Sequence, residues 1–181
     1  MNISTPPFRK VIQLETVVRF VLLCALWKLV FFGVALQAQT PAAEYAAKAA
    51  YLARITQFVK WPHASAPSIT VGILGEDSIG SALEGIVSVK RSKRIEDLKD
   101  CQVIFIGKSE HDKLAGILAA LQGTNILTVG ESEGFAKQGG VIGLLMDGEN
   151  VRMEINPGAA KRAGLGVDLR LLKLANRVVS S

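Results

Sequence analysis

Residues 101–107, CQVIFIG, are apolar almost throughout. A run of this length and composition is typical of a strand that is buried on both faces, and such strands occur in parallel sheets covered by helices. Working outward, residues 68–75, SITVGILG, and residues 125–131, NILTVGE, also have the length and composition of strands. These three segments predict the centre of a largely parallel sheet.

The first helix is predicted over residues 44–60, EYAAKAAYLARITQFVK, where apolar side chains recur at helical spacing. Its apolar side chains are expected to share one face, and its basic side chains are expected to face elsewhere; the apolar set is Tyr51, Ile55, Phe58 and Val59, and the basic set is Lys48, Arg54 and Lys60. Trp61-Pro62 ends the helix, because proline disfavours helical conformation in the residue before it.

Two more helices are predicted between the strands. Asp77-Ser78 can cap a helix over residues 78–86, and Ser109 can cap a second over residues 110–121. Strands that alternate with helices in this way indicate an α/β fold with right-handed crossovers.

The C-terminal third departs from this alternation. VIGLLM and VRMEIN are joined by an Asp147-Gly148 turn, which predicts a β-hairpin. Arg152, Glu154 and Asn156 share one face of the last strand, so we expect that face to be half exposed. Asn156-Pro157 then begins a helix, and residues 169–179 are predicted to form a final amphipathic helix. The predicted fold is therefore a single three-layer-like α/β domain, with a mixed, mostly parallel sheet, flanking helices and a C-terminal hairpin.

Residues 1–38 have the order of a secretory signal, with basic residues, then the apolar stretch VLLCALWKLVFFGVALQA, then small residues. We predict cleavage after Ala38, which leaves residues 39–181 as the domain. A retained membrane anchor is the alternative, although Lys28 at its centre would cost about 2.5–3.5 kcal/mol on insertion. A lipid anchor on Cys24 is disfavoured because a large residue precedes it.

The charge of the chain depends on this segment. It holds four of the 21 basic residues and one of the 16 acidic residues, so its removal lowers the net charge from +5 to +2. That value gives no support to nucleic-acid binding. Cys101 is then the one remaining cysteine, and we expect it to be buried, since it begins an apolar strand.

No catalytic arrangement stands out in the sequence. His63 and His111 are the only histidines, and neither has Cys, Asp or Glu at the spacing of a metal site. Glu131 and Glu133 are most simply part of a solvated loop. The sequence therefore predicts no enzyme, no metal site and no cofactor.

The glycines of residues 134–140, GFAKQGG, admit two interpretations. Glycine-rich loops cradle phosphates, but Lys137 is the one cation here. The favoured interpretation is a turn that uses Gly134 and Gly139-Gly140 for positive φ and close backbone approach.

Several segments in order resemble the YfiR-type periplasmic proteins. AAYLARITQFVKWP (49–62) resembles the first helix of that family, KDCQVIFIG (99–107) is similar to its cysteine-led strand, and residues 126–175 look like its C-terminal signature, with a GF-x-x-x-GG loop, a hairpin ending in E-I-N and a closing L-L-x-L-A. The resemblance covers about residues 45–178.

This resemblance implies a regulator in the periplasm. YfiR-like proteins bind the periplasmic sensor domain of an inner-membrane diguanylate cyclase and keep it inactive, and an outer-membrane lipoprotein of the OmpA/Pal type can sequester them. Loss raises cyclic di-GMP and promotes biofilm formation. A homodimer is also implied by analogy. Well-known members carry intramolecular disulfides, but Cys101 has no partner in the predicted mature chain, so internal redox switching is not implied here.

Candidate partner-binding residues are those that the pattern exposes on regular elements. Arg54, Lys60 and Trp61 lie on or after the first helix, and Arg152 and Glu154 lie on the last predicted strand. Trp and Arg are common interface anchors. The alternative interpretation is that Trp61 closes the end of the core and that the hairpin residues form a solvated face.

A second functional hypothesis is a periplasmic small-molecule-binding domain that feeds a membrane sensor. Such a site needs a concave pocket with few polar groups, and the sequence leaves this open.

Overall fold

The structure, a computed structural model, describes residues 41–62, 68–76 and 79–179, all within the compact unit Gln39–Ser181. The predicted signal, His63 and the predicted Asp77-Ser78 cap lie outside the described residues. No helix within the described residues is long and apolar enough to cross a membrane.

Helices and strands alternate through the first two thirds of this unit. The α-helices in the described ranges are α1 (Pro41–Ile55), α2 (Gly80–Leu83), α3 (Leu114–Ala120), α4 (Pro157–Arg162) and α5 (Leu169–Leu174). The strands are β1 (Val59–Lys60), β2 (Thr70–Leu74), β3 (Ser88–Ser92), β4 (Val103–Ile106), β5 (Leu127–Gly130), β6 (Ile142–Asp147), β7 (Asn150–Ile155), β8 (Gly166–Val167) and β9 (Arg177–Val178). Short 3₁₀ helices cover Thr56–Phe58, Ile95–Leu98 and Lys108–Lys113.

The main sheet has the strand order β3-β2-β4-β5-β6-β7-β9. The first five strands in this order, β3, β2, β4, β5 and β6, are parallel to one another. β7 is antiparallel to β6, and β9 is parallel to β7. A separate two-stranded antiparallel sheet joins β1 to β8. The prediction of a mixed, mostly parallel sheet with flanking helices and a hairpin is confirmed.

Each face of the main sheet carries its own apolar layer. Val103 and Phe105 of β4 point towards α1, α2, α4 and α5, whereas Ile104 and Ile106 point towards α3. All four are buried, as predicted for a strand covered on both faces. Burial of one such side chain contributes about 1.5–3 kcal/mol relative to exposure, so the central strands supply much of the driving force for folding.

The segment 134–140 folds over the α3 face of the sheet. Gly134 and Gly139 have φ values of 73° and 104°, a conformation that favours glycine. Phe135 lies between two further glycines, and a Cβ added at Gly140 would approach its Cζ to 2.5 Å, and two other ring carbons more closely still. The interpretation of these glycines as turn and close-approach residues is confirmed.

The C-terminal end differs from the prediction. The last helix stops at Leu174, and Arg177–Val178 form β9 instead of a continued helix. The backbone and side chain of Asn176 hydrogen-bond to Met153 of β7, which directs the chain along that strand. The prediction of one helix over 169–179 was therefore wrong in its second half.

Two further predictions fail locally. The first helix ends at Ile55, so Lys60 belongs to β1. Ser109 does not cap a helix; it lies inside a 3₁₀ helix, where its hydroxyl accepts a hydrogen bond from the Glu76 backbone N–H at 3.1 Å. By contrast, the Asn156 side chain accepts from the Ala159 N–H and caps α4, as the Asn-Pro start predicted.

Candidate functional site

A groove runs between α1 and α5 above the β7 end of the sheet. Its volume is about 300 Å³, and its lining residues, most of them apolar, are Ala50, Tyr51, Arg54, Ile55, Phe58, Met153, Leu171 and Leu174. We call this surface the α1–α5 groove. Its volume is at the low end of the range that is usual for ligand pockets.

The groove continues onto exposed apolar side chains. Tyr51 is 43% exposed and Leu174 is 59% exposed, and Leu169 and Val178 of the neighbouring segments are also largely exposed. Tyr51, Ile55 and Phe58 line the groove together, which fits the predicted common face. Lys48 was predicted to face elsewhere, and that prediction was wrong, because Lys48, Leu52 and Ile55 form the buried face of α1 at helical spacing.

A basic side chain lines the groove. Arg54 is exposed and has no hydrogen-bond or salt-bridge partner within the described residues. At the start of α5, Asp168 is held by Arg170, and this pairing lowers the pKa of the Asp168 carboxyl to about 2.

Lys60 and Trp61 lie beyond the end of α1. Lys60 is exposed and pairs with Gly166 through the two-stranded sheet. Trp61 is half-buried and packs against the main core, and its indole Nε1 is buried with no hydrogen-bond partner among the described residues. These contacts match the interpretation of Trp61 as a residue that closes the core.

Arg152 and Glu154 point to the opposite face of the sheet from Met153 and the groove. Glu154 is only 2% exposed, so its predicted exposure was wrong. Its Oε1 lies 3.9 Å from Arg152 Nε and 3.8 Å from Arg177 Nη1, while its Oε2 has no hydrogen-bond partner among the described residues. β9, which was not predicted, pairs with β7 and places Arg177 beside Glu154.

Arg152 is half-buried, and its Nη2 donates to Glu133 at 3.1 Å. The five predicted contact residues therefore do not form one surface. Arg54 lines the groove, and Lys60 and Trp61 lie in the segment that follows α1. Arg152 and Glu154 point to the other face of the sheet.

A buried ion pair connects α1 to the centre of the sheet. Lys48 is 1% exposed, and its Nζ donates to Glu131 Oε2 at 2.8 Å and to Glu44. The Lys108 backbone N–H donates to the other oxygen of Glu131 at 3.2 Å. Burial alone would lower the pKa of Lys48, but its hydrogen bonds to Glu131 and Glu44 outweigh burial and raise that pKa. The pair fixes α1 over the carboxyl ends of β4 and β5.

Sequence reasoning missed this pair. Glu131 was assigned to a solvated loop, and that assignment was wrong, although its neighbour Glu133 is exposed. The available signal was the position of Lys48, which is four residues before Leu52 and seven before Ile55 on one helical face. A lysine there must find an acid or leave the core.

The remaining reactive side chains form no cluster. Within the described residues, no group of three or more His, Cys, Asp and Glu side chains could hold a metal ion. His111 is exposed. Cys101 is free and buried, as predicted, and burial raises the pKa of its thiol. A buried thiol with a raised pKa is a poor nucleophile.

A family model described as YfiR/HmsC-like matches residues 45–176. No curated protein matches the sequence at a significant level.

Two solved structures share the fold. An ABC domain in complex with L-Trp from Streptococcus pneumoniae is 11% identical, with a TM-score of 0.54 over 70% of this chain and 59% of that one. A conserved domain protein from Vibrio cholerae is 11% identical, with a TM-score of 0.56 over 75% of this chain and 60% of that one. The chain thus spans about 60% of the length of these structures, and at such low identity the likeness concerns the fold alone.

Proposed function

Because this chain belongs to the YfiR/HmsC-like family, we propose that it is a non-enzymatic periplasmic protein that binds the periplasmic sensor domain of an inner-membrane diguanylate cyclase and represses the enzyme. The family match itself indicates a periplasmic regulator of cyclic di-GMP signalling. The observation that supports the proposal is the extent of that match, residues 45–176, which includes the groove and nearly all of the main sheet.

Repression by a bound protein is a shift between two states of the cyclase. The regulator must bind the inactive sensor conformation more tightly than the active one. Moving a two-state equilibrium from 1:99 to 99:1 requires a difference in affinity of about 10⁴-fold. An OmpA/Pal-type outer-membrane lipoprotein would release the cyclase by competing for the regulator, and lower cyclic di-GMP would limit biofilm formation.

The surface that suits this role best is the one near Arg54. Arg54 in the last turn of α1 and Lys60 in β1 are exposed cations, and we propose both as contact residues. Trp61 is proposed only as a partial contact because it packs into the core. Arg152 stays a candidate, but Glu154 is too buried to meet a partner directly, and reversing the charge of Arg152 beside it would also disturb the fold.

Cyclic di-GMP in the native host tests the proposal directly. We expect the level to rise when the gene is deleted and to fall again when the full chain is restored. A copy lacking residues 1–38 should fail to restore it, because the domain would stay in the cytoplasm. An unchanged level on deletion, under conditions in which the protein is expressed, would refute the proposed repression.

A second function, small-molecule binding, has one structural feature in its favour. A cleft of about 530 Å³ lies between α3 and α4, lined in part by Thr128, Gln138 and Arg162. A thermal-shift screen of periplasmic metabolites separates the two hypotheses, since a ligand at 100 times its dissociation constant stabilises the protein by about 2.7 kcal/mol. Stabilisation by a metabolite that Arg162→Ala abolishes would favour a ligand-binding role.

A further inference from the structure

We infer that the α1–α5 groove binds an amphipathic helix of a partner protein in which apolar side chains are flanked by carboxylates. The inference rests on the proposed function in one respect, which is that the sensor domain of the membrane cyclase is the expected partner. The shape and charge of the groove support the rest.

The shape of the groove suits a helix. One wall runs from Ala50 to Phe58, which corresponds to about 12 Å at a rise of 1.5 Å per residue. The opposite wall is formed by Leu171 and Leu174 of α5, and Met153 forms the floor. A helix that lies in such a groove inserts apolar residues at positions i, i+3 or i+4, and i+7, and two turns of helix match this length.

The charge at the groove specifies the flanks of the partner. Arg54 lines the groove and is an exposed cation without a partner among the described residues. Asp168, the acid at the start of α5, is already engaged by Arg170 through two contacts, at 3.1 Å and 2.9 Å. A cation at the side of an apolar groove is complementary to a segment with Asp or Glu at its edge.

Other parts of this chain do not supply such a segment. Residues 1–40 are apolar but carry four cations against one acid, and residues 63–67, HASAP, contain no acid. Residues 77–78 and 180–181 are too short to fill two helical turns. A second copy that docked groove to groove would bring the Arg54 side chains of the two copies into one interface without an acid between them, and they would repel.

A membrane surface also combines apolar and anionic groups, but it fits less well. Insertion into a bilayer uses protruding apolar side chains, and Leu169 and Leu174 protrude beside the groove. A bilayer that rested on them would leave Met153, Ile55 and Leu171 uncovered, because these three lie at the bottom of a concavity. Only a side chain that projects from a partner reaches them. The observations therefore favour a protein helix.

Photo-crosslinking in the native host tests the inference on the full chain. A photo-crosslinking amino acid replaces Tyr51, and a control chain carries it at exposed Gln122, outside the groove. The crosslinked peptide is mapped by mass spectrometry. We expect a segment of a periplasmic domain with apolar residues at helical spacing and Asp or Glu beside them, captured from position 51 and not from the control position.

Charge reversal supplies the matched comparison. Arg54→Glu should weaken binding to the captured domain by about tenfold, because a carboxylate of the partner would face a like charge. Lys137→Glu changes the net charge equally, lies outside the groove and should leave binding unchanged. Replacing the mapped acids of the partner with Lys should restore binding to the groove variant.

Each other outcome overturns the inference. The crosslinks could join two copies of this chain, or position 51 could give no more crosslinking than the control position. The two charge-reversed variants could bind the partner equally well. The wild type could float with phosphatidylglycerol vesicles while the groove variant does not.

The level of cyclic di-GMP distinguishes a failure of this inference from a failure of the proposed function. Restraint of cyclic di-GMP by the groove variant at the wild-type level refutes the groove while the regulatory role stands. Capture of an acid-flanked helix in a host whose cyclic di-GMP does not respond refutes the regulatory role alone.

Discussion

Replacing Gly140 with alanine should destabilise the domain through a single aromatic ring. Phe135 is 1% exposed, and a Cβ at Gly140 would lie 2.5 Å from its Cζ, compared with about 3.5–4.0 Å for an ordinary carbon–carbon contact. The ring cannot retreat towards Gly130, where an added Cβ would already approach its Cγ to 2.7 Å. Overpacking of this kind costs about 1–3 kcal/mol, and we expect a value near the upper limit because the ring is confined on both sides.

A double-mutant cycle measures this coupling. Phe135→Ala alone should cost about 3–5 kcal/mol. In that background Gly140→Ala should be nearly neutral, because the ring is absent and Gly140 does not need a positive φ. Urea unfolding of the mature chain followed by circular dichroism gives each free energy of unfolding. The expected coupling is about 1–3 kcal/mol.

Gly116→Ala is the matched control. Gly116 lies in α3, and an added Cβ there meets nothing within 4 Å, so alanine should stabilise the domain by about 0.5–1 kcal/mol. Additive effects of the Phe135 and Gly140 substitutions would refute the reasoning, since the cost of Gly140→Ala would then come from the backbone and not from the ring.

Three further predictions concern buried or paired groups. Lys48→Met should lower the free energy of unfolding in urea by about 3–5 kcal/mol, because it removes the cation that the buried Glu131 binds, and adding Glu131→Gln should recover part of this loss. The pKa of Lys48 is raised above 10.5. The stability advantage of the wild type should therefore hold below pH 10.5 and decline as the pH rises through the folded-state pKa. Asp168→Asn should lower the melting temperature above pH 3.8, and the difference should vanish as the pH falls through the folded-state pKa of about 2, which Arg170 holds down. Cys101 should react with a maleimide at pH 8 only in urea, whereas labelling of the native protein as fast as in urea would contradict its burial.

The central strands were predictable because burial on both faces leaves a continuous apolar run. Ile104 and Phe105 show this for β4, and Asp147-Gly148 marked the hairpin through local turn chemistry. β3 has few apolar residues because it is an edge strand, with the sequence SVKRS. β9 has only two residues, and its position depends on hydrogen bonds to a distant strand. Neither strand leaves a periodic signal.

The same distinction holds for the candidate site. The exposure of Arg54 follows from helical periodicity and was predicted. The contact of Glu154 with Arg177 depends on β9, which no local pattern indicated. Helical spacing placed Lys48 beside Leu52 and Ile55, but it could not indicate Glu131, which arrives much later in the chain. Contacts made by one element with itself or its sequence neighbours were predictable, and those that bring distant elements together were not.

The buried pair of α1 has a consequence for the order in which the chain folds. Lys48 and Glu131 are 83 residues apart, and β1 finds its partner only in β8, near the C-terminus. Contacts of such long sequence separation form late, because the intervening chain must first be ordered. The N-terminal helix therefore cannot bury its lysine until most of the domain has been synthesised. A chain that ends before Glu131 lacks the acid that Lys48 binds, so α1 cannot make its native contacts during synthesis until that residue has been added.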